Sequence, residues 1–289
     1  MNADVKGWPT ISVITPSLNQ GRFLDAAMRS VLDQGYANLE YIVIDGGSTD
    51  ESIDIIKRYA PRLHAWSSGP DRGQTDAINK GLRQARGELV AWLNSDDCYL
   101  PGALAAVAEA YRRSRADVLY GDYALVTETG DPFLRRREIP FHFDLLLYGV
   151  NFIGQPASFF RRDLLARFGY LDESLRYVMD WEFWLRVASG GARFEHIPVE
   201  LAQYRYHGAS KTVGEPAAFK REVTTMRARF HPGASRTSIA LKSLRARFRR
   251  QWIKWRLRGS VDVLGGPLHR LAYRMARRAS ARTGIGTSR

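Results

Sequence analysis

The sequence predicts an α/β fold: a mostly parallel central sheet with helices on both faces, followed by a basic helical tail. Three observations lead there. Over the first hundred residues, short apolar runs alternate with segments of helical period. The apolar runs end on polar or glycine-rich turns. The basic excess of the chain is confined to its end. Residues 236–289 hold 15 Lys and Arg and one acid, Asp262, whereas the other 235 residues hold 28 basic and 29 acidic ones.

The elements follow in order. Residues 11–15 read as a strand, and Leu24, Ala27, Met28, Val31 and Leu32 then recur on one helix face. Residues 41–45 form a second strand, apolar enough to be covered on both sides. Ser48-Thr-Asp-Glu51 has the form of a capping box, opening a helix that contains Ile53 and Ile56. Residues 63–66 suit a short third strand. Ala77, Ile78, Leu82 and Ala85 mark a helix that Gly87 should end, and residues 89–93 a fourth strand. Pro101 fits the first turn of the next helix. Further on, 118–126 is a strand, and Thr129-Gly-Asp-Pro132 is a turn that makes it half of a hairpin. Residues 141–153 lack a clean period. Phe183, Val187 and Trp184 share a face of a helix beginning near Asp180, and Gly214-Glu-Pro216 marks a boundary. In the tail, Leu241, Leu244, Phe248, Trp252 and Trp255 form a stripe with arginines between them, and Leu268, Leu271, Ala272 and Met275 repeat it more weakly.

Composition bounds the rest. A chain of 289 residues, 45% hydrophobic, can bury one large domain with an appendage, or two small ones. The single cysteine, Cys98, excludes a disulfide framework or a cysteine zinc cage and fits a reducing compartment. The first ten residues lack the basic-then-apolar pattern of a secretion signal, and no apolar run approaches the roughly 20 residues that cross a bilayer. The expected place is the cytoplasm, as a soluble protein or one lying on the inner face of the membrane.

Ligands of parallel α/β sheets sit beyond the carboxyl ends of strands. Those ends carry Thr15-Pro16, Asp45-Gly-Gly and Asn94-Ser-Asp-Asp97. Asp96 and Asp97 adjoin each other, a repulsive arrangement that a hard cation such as Mg²⁺ or Mn²⁺ relieves. Taken singly, each has a plain structural reading: a strand terminus, a glycine turn, an Asp cap on the next helix.

In series, four blocks resemble the family-two glycosyltransferases. They are Ile11-Ser-Val-Ile-Thr-Pro-Ser-Leu-Asn-Gln-Gly21, Tyr41-Ile-Val-Ile-Asp-Gly-Gly-Ser-Thr-Asp50, Asp71-Arg-Gly-Gln-Thr-Asp-Ala-Ile-Asn-Lys-Gly81 and Gly87-Glu-Leu-Val-Ala-Trp-Leu-Asn-Ser-Asp-Asp97. The resemblance covers roughly residues 9–210 and implies a GT-A (Rossmann-like) fold. It implies an inverting transferase that moves a sugar from a nucleotide diphosphate, UDP by default, onto a hydroxyl of a glycan or lipid-linked acceptor. By that match Thr15 and Pro16 line the base and ribose pocket, Asp45 bonds the base, and Ser48 and Asp71 lie by the nucleotide. Asp97 is the main metal ligand, and Asp96 meets ribose or the metal. The first position of the metal motif, commonly an acid, is Asn94 here. Gln155, in Gly154-Gln-Pro-Ala-Ser-Phe-Phe-Arg-Arg162, would touch donor sugar or acceptor, or be a buried amide. His207, in Tyr204-Arg-Tyr-His207, would lie near metal or diphosphate. Val178-Met-Asp-Trp-Glu-Phe-Trp-Leu-Arg186 resembles the segment with the general base, which makes Asp180 the base. Met179 stands where an acid is usual, and Glu182 is the alternative base, otherwise facing solvent or supporting the site from behind.

The resemblance divides the chain into a nucleotide-sugar half (1–115), an acceptor and catalytic half (116–213) and a basic helical extension (214–289). The extension either binds an anionic membrane surface through 236–289 or packs on the body. A nucleotidyltransferase lacks support, because its glycine-rich loop near the N-terminus is missing. Nucleic acid is not expected as a partner, given the near-neutral body and the lack of a recognised binding pattern. An inactive nucleotide-binding scaffold is the remaining alternative.

Overall fold

The computed structural model describes residues 7–208, 216–231, 233 and 235–258. Its strands are β1 (Ile11–Ser17), β2 (Leu39–Asp45), β3 (Ala65–Ser68), β4 (Leu89–Trp92), β5 (Cys98–Tyr99), β6 (Val118–Val126), β7 (Pro132–Arg136), β8 (Ser158–Arg161) and β9 (Phe194–Arg205). Its α-helices are α1 (Gly21–Leu32), α2 (Ser52–Tyr59), α3 (Gln74–Gln84), α4 (Ala103–Ser114), α5 (Asp163–Phe168), α6 (Met179–Ser189), α7 (Pro216–Phe230) and α8 (Arg236–Arg258).

One sheet runs β3-β2-β1-β4-β8-β6-β9-β5, with β7 beside β6. The first four strands are parallel. Beyond them the sheet is mixed: β8 is antiparallel to both β4 and β6, whereas β9 runs parallel to β6. The order reverses at β1, whose chain neighbour β2 lies on one side and β4 on the other. A crevice therefore opens beyond the ends of β1 and β4. The hairpin of β6 and β7 forms as the Thr129–Pro132 turn predicted.

Strand alternation assigns the core to two layers. Ile14, Ile42, Ile44 and Trp92 face α3, α6 and the turn at 145–149. Val13, Tyr41, Val43 and Ala91 face α1, α2 and α4. Residues 145–149, which had no legible period, make one buried π-helical turn, Leu145–Gly149.

Several local expectations are corrected. The third strand begins at Ala65, because Leu63 N–H closes a 3-10 turn on Ala60 and His64 N–H is bonded to Tyr41. The capping box does not form. Ser48 turns back to Asp45, and it is Asp50 that accepts from Ser52 N–H and Gly21 N–H, at 3.0 and 2.9 Å. Helix α3 ends at Gln84, ahead of Gly87. Gly87 instead lets the chain approach β1, since a Cβ there would lie 2.6 Å from Ser12 Oγ. Pro101 lies outside α4, which starts at Ala103.

Helix α7 is tied to the 145–149 turn: Arg227 donates to the carbonyls of Leu147 and Gly149, at 2.8 and 2.9 Å. Helix α8 packs on the same region through Ala246, Arg250 and Lys254, which are buried. Its stripe of Leu241, Leu244, Phe248, Trp252 and Trp255 is exposed. The weaker repeat at Leu268, Leu271, Ala272 and Met275 and the boundary residues 214 and 215 lie outside the described residues. Among those residues no helix is long and apolar enough to cross a membrane.

Candidate active site

At the end of β2, Asp45 is buried and organises the turn after it. Its carboxylate accepts from Gly47 N–H at 3.0 Å, Ser48 N–H at 2.9 Å, Ser48 Oγ at 2.5 Å and Ser68 Oγ at 2.7 Å. Gly47 holds φ at +90°, a conformation that costs other residues energy. Gly46 makes room for Asp71, because a Cβ there would lie 2.5 Å from Asp71 Oδ2. The other Asp71 oxygen accepts from Gly73 N–H at 2.7 Å. Asp45, Ser48 and Asp71 thus form one acidic rim. With four protein donors on Asp45, a base would reach that carboxylate only by displacing one of them. Thr15 is fully buried in β1 and its hydroxyl is bonded to Tyr41 Oη at 2.9 Å, so it presents no surface to a ligand, contrary to its expected place in the base and ribose pocket. Pro16 is buried beside it in the strand.

Beyond β4 the chain turns through Asn94, Ser95, Asp96 and Asp97. Arg205, at the end of β9, clasps this turn. Its N–H donates to Asp97 Oδ1 at 2.9 Å, and its guanidinium donates to the carbonyls of Asp96 and Glu128, at 2.9 and 2.8 Å. Burial, with Asp96 alongside, pushes the Asp97 carboxyl well above the usual carboxylate range. His207 brings Nε2 to 3.0 Å from Asp96 Oδ2 and packs its ring on Phe23, with centroids 4.8 Å apart. That separation is a hydrogen bond between the two side chains. The carboxylate oxygens of the turn are donors of the kind that suit Mg²⁺ or Mn²⁺. Among the described residues no three His, Cys, Asp or Glu side chains converge as a group that could hold a metal ion. Both Asp97 oxygens already accept hydrogen bonds, from Arg205 N–H and from Asn94 Nδ2.

Asn94, where the family more often has an acid, ties the site together. Its Nδ2 donates to Asp97 Oδ2 at 3.2 Å and to Gln155 Oε1 at 2.9 Å, and its Oδ1 accepts from Gln74 Nε2 at 2.6 Å. Gln155 is held in turn by the Trp92 carbonyl, at 2.6 Å. Gln155 is therefore oriented by β4 on one side and by Asn94 on the other.

Asp180 lies in the first turn of α6. Burial raises its carboxyl to about 6, against the pull of the helix N–H groups and of Asn151, whose Nδ2 donates to it at 2.9 Å. Helix α6 is sited by Trp184, stacked 6.1 Å from Trp92, and by Trp181, whose Nε1 donates to the Leu146 carbonyl at 2.9 Å. Thr75 Oγ1 approaches Met179 Sδ to 3.2 Å, and the preceding residue is the Gln74 that holds Asn94. Glu182 is buried, which rules out the solvent-facing one of its two expected places. It is ion-paired with Arg186, at 2.9 Å, and is not available as a base.

Sequence reasoning passed over Arg205, Asn151 and Gln74. Gln74 and Arg205 lie inside quoted blocks, but their partners are distant in the chain. Asn151 lies in the stretch without a period, where no spacing marks it.

Comparison with known proteins decides the family. The model described as Glycosyl transferase family 2 matches residues 12–169. The chain belongs to glycosyltransferase family 2. It is 33% identical over 222 residues to the PGL/p-HBAD biosynthesis glycosyltransferase of Mycobacterium bovis, covering 74% of this chain and 84% of that protein. An uncharacterized glycosyltransferase of Mycobacterium tuberculosis is 36% identical over 183 residues, 62% of this chain and 69% of the other. The fold matches S. aureus TarS 1-349 in complex with UDP-GlcNAc with a TM-score of 0.64 at 20% identity, over 92% of this chain and 79% of that one. It also matches the mannosyltransferase PcManGT from Pyrobaculum calidifontis in complex with GDP-Man and Mn²⁺, with a TM-score of 0.62 at 19% identity, over 98% and 83%. The GT-A architecture is thus established, and this family-2 member is a glycosyltransferase.

Proposed function

We propose that the chain is an inverting transferase that moves a sugar from a nucleotide diphosphate sugar, a UDP-sugar, to a hydroxyl of a glycan or lipid-linked acceptor. The observation that carries this reading is the pairing of two unlike carboxylate environments through Gln74 and Thr75. One is the Asp96–Asp97 turn at a strand end, and the other is the lone carboxyl of Asp180, raised to about 6 at a helix start. A base poised near working pH takes a hydroxyl proton most efficiently. The acceptor oxygen attacks the anomeric carbon from the face opposite the diphosphate, Asp180 takes its proton, and the bond to the diphosphate breaks with its electron pair leaving on the phosphate oxygen. Asp97, Asp96 and His207 would hold a Mg²⁺ or Mn²⁺ ion, which when bound offsets the charge growing on the leaving diphosphate. Asp45, Ser48 and Asp71 frame the base and ribose, and Gln155 lies toward the sugar. The neighbours solved with UDP-GlcNAc and with Mn²⁺ support these choices.

The test is nucleotide diphosphate release from a panel of UDP-, GDP- and dTDP-sugars, with Mn²⁺ or with EDTA. Release from one donor should be abolished by EDTA and by Asp97→Ala. With acceptor supplied, Asp180→Asn should bind donor normally and lower kcat by about 10²–10⁴-fold. An enzyme that neither releases diphosphate nor binds any nucleotide in a metal-dependent way would be the inactive scaffold instead.

A further inference from the structure

Helix α8 is mounted with its aromatic side outward. Glu138, fully buried, receives Arg250 Nη2 at 2.7 Å and has Lys254 Nζ at 3.6 Å, with Arg136 Nε 3.9 Å from its other oxygen. Ala246 is buried on the same side of the helix, packed near Gly149. At 100° per residue, Phe248 points about 160° away from Ala246 and from Arg250. Leu241, Leu244, Phe248, Trp252 and Trp255 share an arc of about 80°. All five are at least half exposed, Phe248 at 69% and Trp255 at 58%. The ionic clamp on Glu138 leaves this stripe facing solvent.

The flanks of the stripe are basic. Arg245, Arg249 and Arg256 project along one side of it and Arg247 along the other, and all four are exposed. From Arg236 to Arg258 the sequence contains no acid. On the side of Arg245 and Arg249, a cleft of about 480 Å³ lies between α8 and the body, with Leu145, Leu147 and Phe230 in its walls and Lys242 at its edge. An apolar ridge with three exposed arginines along one side and one along the other matches a surface that is apolar inside and anionic at its edge. The arginines reach headgroup phosphates while the rings enter the acyl boundary. A folded partner with its own apolar patch would match the ridge, but would also need acids placed against the arginines on both flanks.

We infer that α8 docks the enzyme on an anionic membrane surface, with Phe248, Trp252 and Trp255 inserted and the arginines of its flanks on lipid phosphates. Because Glu138 clamps the opposite side of the helix, docking also sets the orientation of the body. The inference does not depend on the transfer reading, and vesicle binding is measured without turnover.

The test is flotation of the full chain with vesicles containing phosphatidylglycerol and with vesicles of phosphatidylcholine alone. The chain should float with the anionic vesicles, less so at high salt, and far less with the neutral ones. The triple variant Phe248→Ser, Trp252→Ser, Trp255→Ser should bind anionic vesicles at least about tenfold more weakly, since each ring contributes buried apolar area at the interface. Its thermal midpoint should fall by little, because Phe248 and Trp255 are mostly exposed and only Trp252 lines a hollow with Pro140 and His142 of the body. Vesicles with brominated acyl chains should quench tryptophan fluorescence of the unmodified chain, and the triple variant should lose that quenching. Equal flotation of the triple variant and the unmodified chain would overturn the inference, as would absence of quenching. So would a dimer by light scattering that the triple variant dissolves while neither form binds vesicles, since the stripe would then cover a second copy.

Discussion

Helices α6 and α8 draw on the same kinds of side chain and bury opposite ones. In α6, Trp181, Phe183 and Trp184 are in the core, and Arg186 reaches from the rim to Glu182 and to backbone carbonyls. In α8, Phe248, Trp252 and Trp255 face solvent, while Arg250 and Lys254 are enclosed. Residue type states what burial would gain or cost; the partner surface decides which happens. The partner of α6 is an aromatic floor of Trp92 and Phe160. The partner of α8 is a buried carboxylate, against which a cation is the better fit. The two helices also treat a buried charge differently. Glu138 has cations within ion-pair distance, whereas Asp180 has one amide and the helix start.

The contrast can be broken at four places. Trp184→Ala should cost about 3–5 kcal/mol, read as a fall in the midpoint of denaturant unfolding, because it removes a fully buried ring from its stack on Trp92. Glu138→Gln should cost somewhat less, about 2–4 kcal/mol, because it removes the buried carboxylate that meets Arg250 and Lys254. If that variant unfolds no more easily than the parent, the clamp does not hold α8. Asp180→Asn should act in the opposite direction on stability. The folded carboxyl titrates at about 6 against an ordinary 3.8, so the folded form holds the proton more tightly and stability declines as pH rises through that window. The Asn variant escapes this decline. It should melt higher at pH 8, by an amount on the order of 2 kcal/mol, with the gain vanishing toward pH 4. A gain that did not change with pH would rule out the raised carboxyl as its source. By the same titration, transfer by the unmodified enzyme should fall as pH drops below about 6. Smallest of all, Trp255→Ala, at a ring 58% exposed, should change unfolding stability by under about 0.5 kcal/mol, despite removing as large a ring as the first substitution.

These cases also mark how far the sequence could be read. Strands β1, β2 and β4 were legible because parallel strands buried on both faces are continuous apolar runs, and their ends located Asp45 and Asp97. Asp180 was legible only through its motif, since no spacing relates it to the strand ends. The role of Asn94 was not legible. It departs from the common acid, and its partners Gln74 and Gln155 stand 20 residues before and 61 after it. The outward stripe of α8 was visible as a stripe but not as outward. Which side of a helix is covered depends here on Glu138, over a hundred residues earlier, just past the end of β7.

Gln74 and Thr75 have a consequence for how two ligands would be coupled. They are joined by one peptide bond, and one holds Asn94 while the other meets Met179 at the start of α6. Under the proposed roles, a donor that shifts the Asn94 turn would act on the element that sites Asp180. Linkage is reciprocal: whatever factor the donor applies to acceptor affinity through this element, the acceptor applies to donor affinity in return. The first turn of α3 is in that sense a lever shared by two ligands that need never touch it.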